Sequence, residues 1–183
     1  MQVFPIPTLK SPRLFLRMVC EGDWEQILHL RSDPQVNARV KRPLSKTKHE
    51  AIAFIKKVNE NNQAGKIVYW GIVSPETDKV LGSICFWKFS DDRKTAEVGY
   101  DLSIAAQGQG FMSEAMKAVL DFGFSTLRLD TVEAYTQTNN VASTKLLSRF
   151  GFELLSERGD ETNELNAVFS LNAERHSRST MRS

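Results

Sequence analysis

The order of patterned segments predicts a mixed α/β domain. About seven strands run antiparallel first and parallel around a long central helix, with about four helices flanking them. Three observations carry that expectation. The β-branched and aromatic-rich runs Ile67–Val73, Val80–Phe89 and Ala96–Ser103 are separated by short turn-forming stretches, and short turns join antiparallel neighbours. A glycine-punctuated loop then opens a helical stripe of Met116, Val119, Leu120, Gly123 and Leu127. The chain returns to a strand at Thr131–Thr136, which completes a βαβ unit with a parallel pair and a right-handed crossover.

The remaining elements follow in chain order. Leu14, Leu16 and Met18 alternate and predict a first strand over Leu14–Met18. Asp23 is placed to cap a short helix carrying Trp24, Ile27, Leu28 and Leu30, which Asp33-Pro34 ends. After a polar connection through Pro43, Thr47-Lys-His-Glu50 is a capping-box pattern for a second helix reaching about Asn62 and stopping before Gly65. Past the βαβ unit, Asn140–Arg149 predicts a helix with Gly151 as its stop. Phe152–Leu155 and Leu165–Leu171 predict closing strands, and residues 172–183 a polar, frayed tail.

The chain of 183 residues suits one domain, with a core over about residues 8–171. That length can bury roughly 70% of its unfolded surface, enough to be stable without disulfides or metal. Net charge is 24 basic minus 22 acidic residues, or +2, too balanced to argue for nucleic acid or a membrane surface. Cys20 and Cys85 lack metal-ligand or disulfide spacing, which fits a reducing, cytoplasmic setting. The first residues lack the charged and apolar regions of a signal peptide, and no apolar run is long enough to cross a membrane. No metal is expected, and a homodimer is left open.

Chemistry concentrates in Gln107-Gly108-Gln109-Gly110-Phe111-Met112-Ser113, between a strand and a helix start. Two glycines let the backbone turn tightly and let a ligand approach. The helix start offers unpaired N–H groups and the positive dipole end, together a phosphate site. A plain glycine-rich connection would look the same. The Walker pattern fails, because no Gly-Lys-Ser/Thr follows. The dinucleotide pattern fits in part, with Ser113 where its third glycine belongs and Asp130 as a ribose-binding acid. Against it, Asp130 precedes the next strand and only one βαβ unit is present.

The loop resembles that of the GNAT acetyltransferase superfamily, Gln/Arg-x-x-Gly-x-Gly/Ala. Gln107, Gly108, Gln109 and Gly110 match, with Met112 in place of the usual small residue. Four further segments look like the branch that acetylates ribosomal-protein N-termini. They are Ser11-Pro-Arg-Leu-Phe-Leu-Arg17, Glu97-Val-Gly-Tyr-Asp-Leu102, Gly110-Phe-Met-Ser-Glu-Ala115, and Asn140-Val-Ala-Ser143 followed by Phe150-Gly151-Phe152. The resemblance spans roughly residues 8–171.

The resemblance implies an acetyl-CoA-dependent N-acetyltransferase. The cofactor diphosphate would lie on the N–H groups of Gln107–Ser113. The pantetheine arm would pair against Leu102, Ser103 and Ile104, where the family splays two parallel strands apart through a bulge. An N–H near Leu102 would polarise the thioester carbonyl, and an acceptor amine would attack directly in a ternary complex. Glu97 is the candidate general base, acting through a water. Its other readings are a surface pair with Lys94 or Arg93, or a carboxylate that orients substrate. The family's usual acid, a tyrosine, falls at Leu147, which cannot donate a proton; Ser143 is the substitute. Asn140 is either a CoA contact or a plain N-cap, and Ser143 is either a CoA contact and acid or an ordinary first-turn serine satisfying the helix end.

The remaining residues read more simply. His29, His49 and His176 are scattered and read as surface residues. Trp70, Trp87, Phe86 and Phe89 read as core or acceptor-pocket wall in strands, and Arg175, Arg178 and Arg182 as solvated charge. Three functions stay in view: transfer to a protein N-terminal amine or a small-molecule amine, a CoA-binding sensor or interaction module without turnover, and a dinucleotide oxidoreductase.

Overall fold

The computed structural model describes residues 5–39, 42–160 and 163–180. The strands are β1 (Leu9–Lys10), β2 (Phe15–Arg17), β3 (Val68–Val73), β4 (Val80–Trp87), β5 (Thr95–Leu102), β6 (Thr131–Gln137), β7 (Glu153–Gly159) and β8 (Asn166–Asn172). The helices are α1 (Trp24–Ser32), α2 (Pro34–Asn37), α3 (Lys48–Gln63), α4 (Phe111–Ser125), α5 (Val141–Arg149) and α6 (Ala173–Thr180). The strands form one mixed sheet in the order β1-β2-β3-β4-β5-β6-β8-β7. β2 with β3 and β3 with β4 are antiparallel, β5 with β6 is parallel, and β8 is antiparallel to β6 and β7. The mixed α/β class and the switch to parallel pairing around α4 agree with the sequence reading. The short β1 and α2 escaped it.

The chain divides into two compact units, residues 1–86 with 100–120, and residues 87–99 with 121–183. In the first, α3 starts as its capping box requires: Glu50 N–H donates to Thr47 Oγ1 at 3.2 Å, and Thr47 N–H donates back to Glu50 Oε2 at 3.2 Å. Its apolar stripe, Ala51, Ile55 and Val58, packs in one core with Val19, Ile27, Leu30, Tyr69, Val73 and Val80. Each fully buried aliphatic side chain of this kind contributes about 1.5–3 kcal/mol. Asp23 precedes α1 as expected, but its carboxylate does not cap that helix. It accepts from Cys20 N–H at 2.8 Å and from both terminal nitrogens of Arg17, so an ion pair holds it instead. Asp33 does cap α2, accepting from Gln35 and Val36 N–H.

In the second unit, β6 pairs with β8 along its whole length, from Thr131 with Asn172 to Gln137 with Asn166. Within the expected polar tail, residues 173–180 form the helix α6. His176, read from sequence as a surface residue, has a side chain only 12% exposed. It contacts Asp121 Oδ1 at 2.9 Å and stacks on Phe124 with centroids 4.8 Å apart. Arg175 and Arg178 pair with Glu153 and Glu174, and Arg182 lies outside the described residues. Trp70 and Phe86 are core, fully buried in their strands, while Trp87 is 39% exposed. Phe89 lies beyond the end of β4, not in it.

Candidate active site

Leu102, Ser103, Ile104 and the Gln107–Ser113 loop fall in the first unit, and Glu97, Asn140 and Ser143 in the second. The loop segment begins where β5 ends. Ser103 N–H donates to Leu81 O at 2.8 Å, and a 3-10 turn over Ile104–Ala106 follows. Two glutamine side chains then fold back on the backbone: Gln107 Nε2 donates to Leu102 O at 3.1 Å and Gln109 Nε2 to Ala105 O at 2.8 Å. Gly108 and Gly110 sit at φ +75° and +81°, the left-handed region that glycine reaches without strain. Among the described residues, no acceptor pairs with the N–H groups of Gly108, Gln109, Gly110, Phe111 or Met112. Five donors at the positive end of the 15-residue α4 suit a diphosphate.

Arg13 and Glu114 brace this loop, a pairing that spacing alone does not reveal because 101 residues separate them. Glu114, in the first turn of α4, accepts from Ser11 Oγ at 2.7 Å, Arg13 N–H at 2.7 Å and Arg13 Nε at 2.8 Å. Burial raises its carboxyl, but these hydrogen bonds outweigh that and hold it below the ordinary range. Arg13 Nη1 also donates to Gln109 O at 3.1 Å, and its guanidinium lies 4.7 Å from the Phe111 ring centroid.

The end of β5 is also anchored. Asp101 Oδ1 accepts from Ser83 N–H at 3.1 Å and Ser83 Oγ at 2.7 Å, and its Oδ2 pairs with Arg42 at 2.8 Å. A Cβ on Gly82 would lie 2.2 Å from Asp101 O, so only glycine lets the two backbones approach so closely.

Glu97 occupies a different kind of site. Parallel pairing of β5 with β6 covers Thr95–Glu97 against Thr131–Glu133. The pairs named there end with Glu97 beside Glu133, and each carboxylate has its own cation. Arg158 Nη1 contacts Glu133 Oε1 at 2.5 Å. Lys88 Nζ lies 3.0 Å from Glu97 Oε2, correcting the expected pairing with Lys94 or Arg93. Lys94 pairs with Asp130 at 3.4 Å, and Arg93 stacks on Phe89 at 4.0 Å. The Lys88–Glu97 contact lacks hydrogen-bond alignment, and Oε2 is buried with no hydrogen-bond partner.

Burial pushes the Glu97 carboxyl up, and nearby Asp160 adds to the rise, while Lys88 and the Trp87 indole oppose it. Lys88 holds φ +46°, a conformation costing a non-glycine residue about 1 kcal/mol. Its ammonium lies 4.6 Å from the Trp87 ring centroid and 5.2 Å from that of Tyr135. The Tyr135 hydroxyl donates to Glu133 Oε2 at 2.9 Å and accepts from Arg158 Nη2 at 3.2 Å. Burial, with the Glu133 bond, pushes that phenol up to about 12. A buried carboxylate whose pKa is raised is a stronger proton acceptor than an ordinary one.

Asn140 caps α5, its Oδ1 accepting from Ser143 N–H at 3.4 Å, and its Nδ2 donates to Thr136 Oγ1 at 3.2 Å. Ser143 is buried in the first helical turn, and Leu147 is fully buried one turn on. Among the described residues, no cluster of three or more His, Cys, Asp or Glu could hold a metal ion, and no helix is long and apolar enough to cross a membrane. Cys20 and Cys85 are not joined in a disulfide.

A model of the acetyltransferase (GNAT) domain matches residues 13–153. The chain is 32% identical over 146 residues to the uncharacterized N-acetyltransferase p20 of Bacillus licheniformis, covering 80% of this chain and 82% of p20. It is 24% identical over 157 residues to the [ribosomal protein uS5]-alanine N-acetyltransferase of Escherichia coli K12, covering 81% and 79% of the two chains. Its fold matches the solved structure of the microcin C7 self-immunity acetyltransferase MccE in complex with acetyl-CoA and AMP. That match has a TM-score of 0.76 at 20% identity, covering 88% of this chain and 93% of the other. The chain belongs to the GNAT family of N-acetyltransferases.

Proposed function

We propose that this enzyme moves the acetyl group of acetyl-CoA to a primary amine, by direct attack in a ternary complex. The observation that carries the reading is the loop: five N–H groups from Gly108 to Met112 that find no acceptor among the described residues, ahead of the long helix α4. The loop residues Gln107–Ser113 hold the diphosphate by backbone donors, so a net charge of +2 suffices for a polyanionic cofactor. Leu102, Ser103 and Ile104 pair with the pantetheine arm, and the Leu102 N–H polarises the thioester carbonyl. Glu97 takes a proton from the acceptor's ammonium, directly or through a water, so that the free amine attacks, and burial tunes its carboxylate for that task.

The thiolate leaves with a proton from Ser143 or from water, because Leu147 has none to give. Asn140 serves first as the cap of α5 and contacts CoA from there. Residues 8–171 act as a single acetyltransferase core in the cytoplasm. The acceptor is a protein N-terminal amine, as in the uS5-alanine relative, or a small-molecule amine.

Thiol release from acetyl-CoA over N-terminal peptides, polyamines and aminoglycosides tests the reading. Release with one class, and recovery of that class as its acetyl amide, supports it. CoA binding without release for any amine favours the sensor module, to which the buried, proton-free Leu147 points.

A further inference from the structure

The Lys88 ammonium sits against one carboxylate oxygen and over two aromatic rings, which is the chemistry of an ammonium-binding box. We infer that Glu97, Trp87 and Tyr135 form a subsite for the primary ammonium of an alkyl amine, and that Lys88 is its built-in occupant when no acceptor is bound. The inference rests on the acetyl-transfer reading only in naming that ammonium as the acceptor's.

Two observations make Lys88 a replaceable occupant. Glu97 Oε2 is buried and still lacks a hydrogen bond, although Lys88 Nζ is 3.0 Å away. Lys88 springs from a backbone at φ +46°, and that tether sets the angle of its approach. An untethered alkylammonium can align an N–H with Oε2 and satisfy it, and the unsatisfied oxygen rewards that exchange. The Lys88 side chain is 46% exposed, so it can swing into solvent without losing a packed core. The other charged groups around Glu97 are already engaged: Glu133 with Arg158 and the Tyr135 hydroxyl, and Asp160 with Asn166 Nδ2 at 2.8 Å. Lys88 therefore competes with the acceptor, and apparent amine affinity falls by the fraction of molecules whose box is open.

The test uses n-butylammonium as the probe and 1-butanol as its neutral counterpart, titrated calorimetrically into the full chain. Lys88→Gly is the main variant, because glycine accepts φ +46° without strain; Lys88→Asn, also tolerant of that region, is the second. Both are expected to bind butylammonium about tenfold more tightly than the wild type, and to show a matching fall in amine KM. Adding Glu97→Gln to Lys88→Gly is expected to abolish that binding, and adding Trp87→Ala to weaken it several-fold. 1-Butanol is expected to bind to none of them. Equal butylammonium affinity in the wild type and both Lys88 variants overturns the inference, as does binding that survives Glu97→Gln. If no amine releases CoA, the acetyl-transfer reading fails while the titration still reports on the box. If amines do release CoA but Lys88 replacement moves neither affinity nor KM, the box alone fails.

Discussion

The loop ahead of α4 and the Glu97 box solve opposite problems. The loop presents backbone. Its donors belong to consecutive residues, its shape needs Gly108 and Gly110 at positive φ, and its side chains fold back to brace it. The box presents side chains from separate strands and turns: Lys88 after β4, Glu97 on β5, Glu133 and Tyr135 on β6, Arg158 on β7. A backbone site binds an anion without a buried charge of its own. A side-chain site carries a charge that burial makes costly, and that cost is what raises the Glu97 carboxyl. In the proposed reading, one region holds the cofactor and the other reacts.

That contrast breaks first at Glu97. Glu97→Gln is expected to lower kcat by about 10²–10³ with the KM for acetyl-CoA unchanged, as for loss of a general base. Unchanged kcat and pH profile would remove Glu97 from the chemistry. Next in size is Gly82→Ala, which forces a Cβ against Asp101 O where β5 ends. A core clash of that kind costs about 3 kcal/mol, so thermal denaturation should show a Tm lower by roughly 6–12 °C.

Arg13→Ala acts on the loop without touching the box. Its brace to Glu114 and Gln109 O is lost, and the KM for acetyl-CoA is expected to rise several-fold while kcat holds. Lys in its place keeps the charge but loses the forked geometry, and should restore little.

The smallest effect sharpens the same comparison through stability. The folded protein holds the Glu97 carboxyl above its ordinary value. Its contribution is therefore fully present below the unfolded pKa and is lost as pH rises through the folded one. Glutamine stays neutral throughout. Glu97→Gln is expected to raise Tm by about 2 °C near pH 8 and by progressively less toward pH 4. A Tm difference independent of pH would mean that the carboxyl is not held up.

The two regions also differ in how far the sequence reveals them. Gly108, Gly110 and the helical stripe behind them lie within one stretch, so local spacing was enough to predict the glycine turn and the helix that follows it. Glu97 was legible as a carboxylate on a strand, but its partner was not. Lys94 and Arg93 are nearer in sequence, yet the turn after β4 swings Lys88 onto Glu97 while Lys94 goes to Asp130. The Arg13–Glu114 brace joins residues 101 apart, and no periodicity encodes such a contact. α6 was missed for a related reason. Its residues are polar and read as tail, and contacts distant in sequence hold the helix: His176 docking on Asp121 and Phe124, and Arg175 paired with Glu153.

Single-turnover acetyl transfer from enzyme preloaded with acetyl-CoA tests the division of labour most directly. With acetyl-CoA saturating, Arg13→Ala should match the wild-type rate while Glu97→Gln stays about 10²-fold slower or more. A Glu97→Gln rate rescued by saturation, or an Arg13→Ala rate that stays slow when saturated, would contradict it.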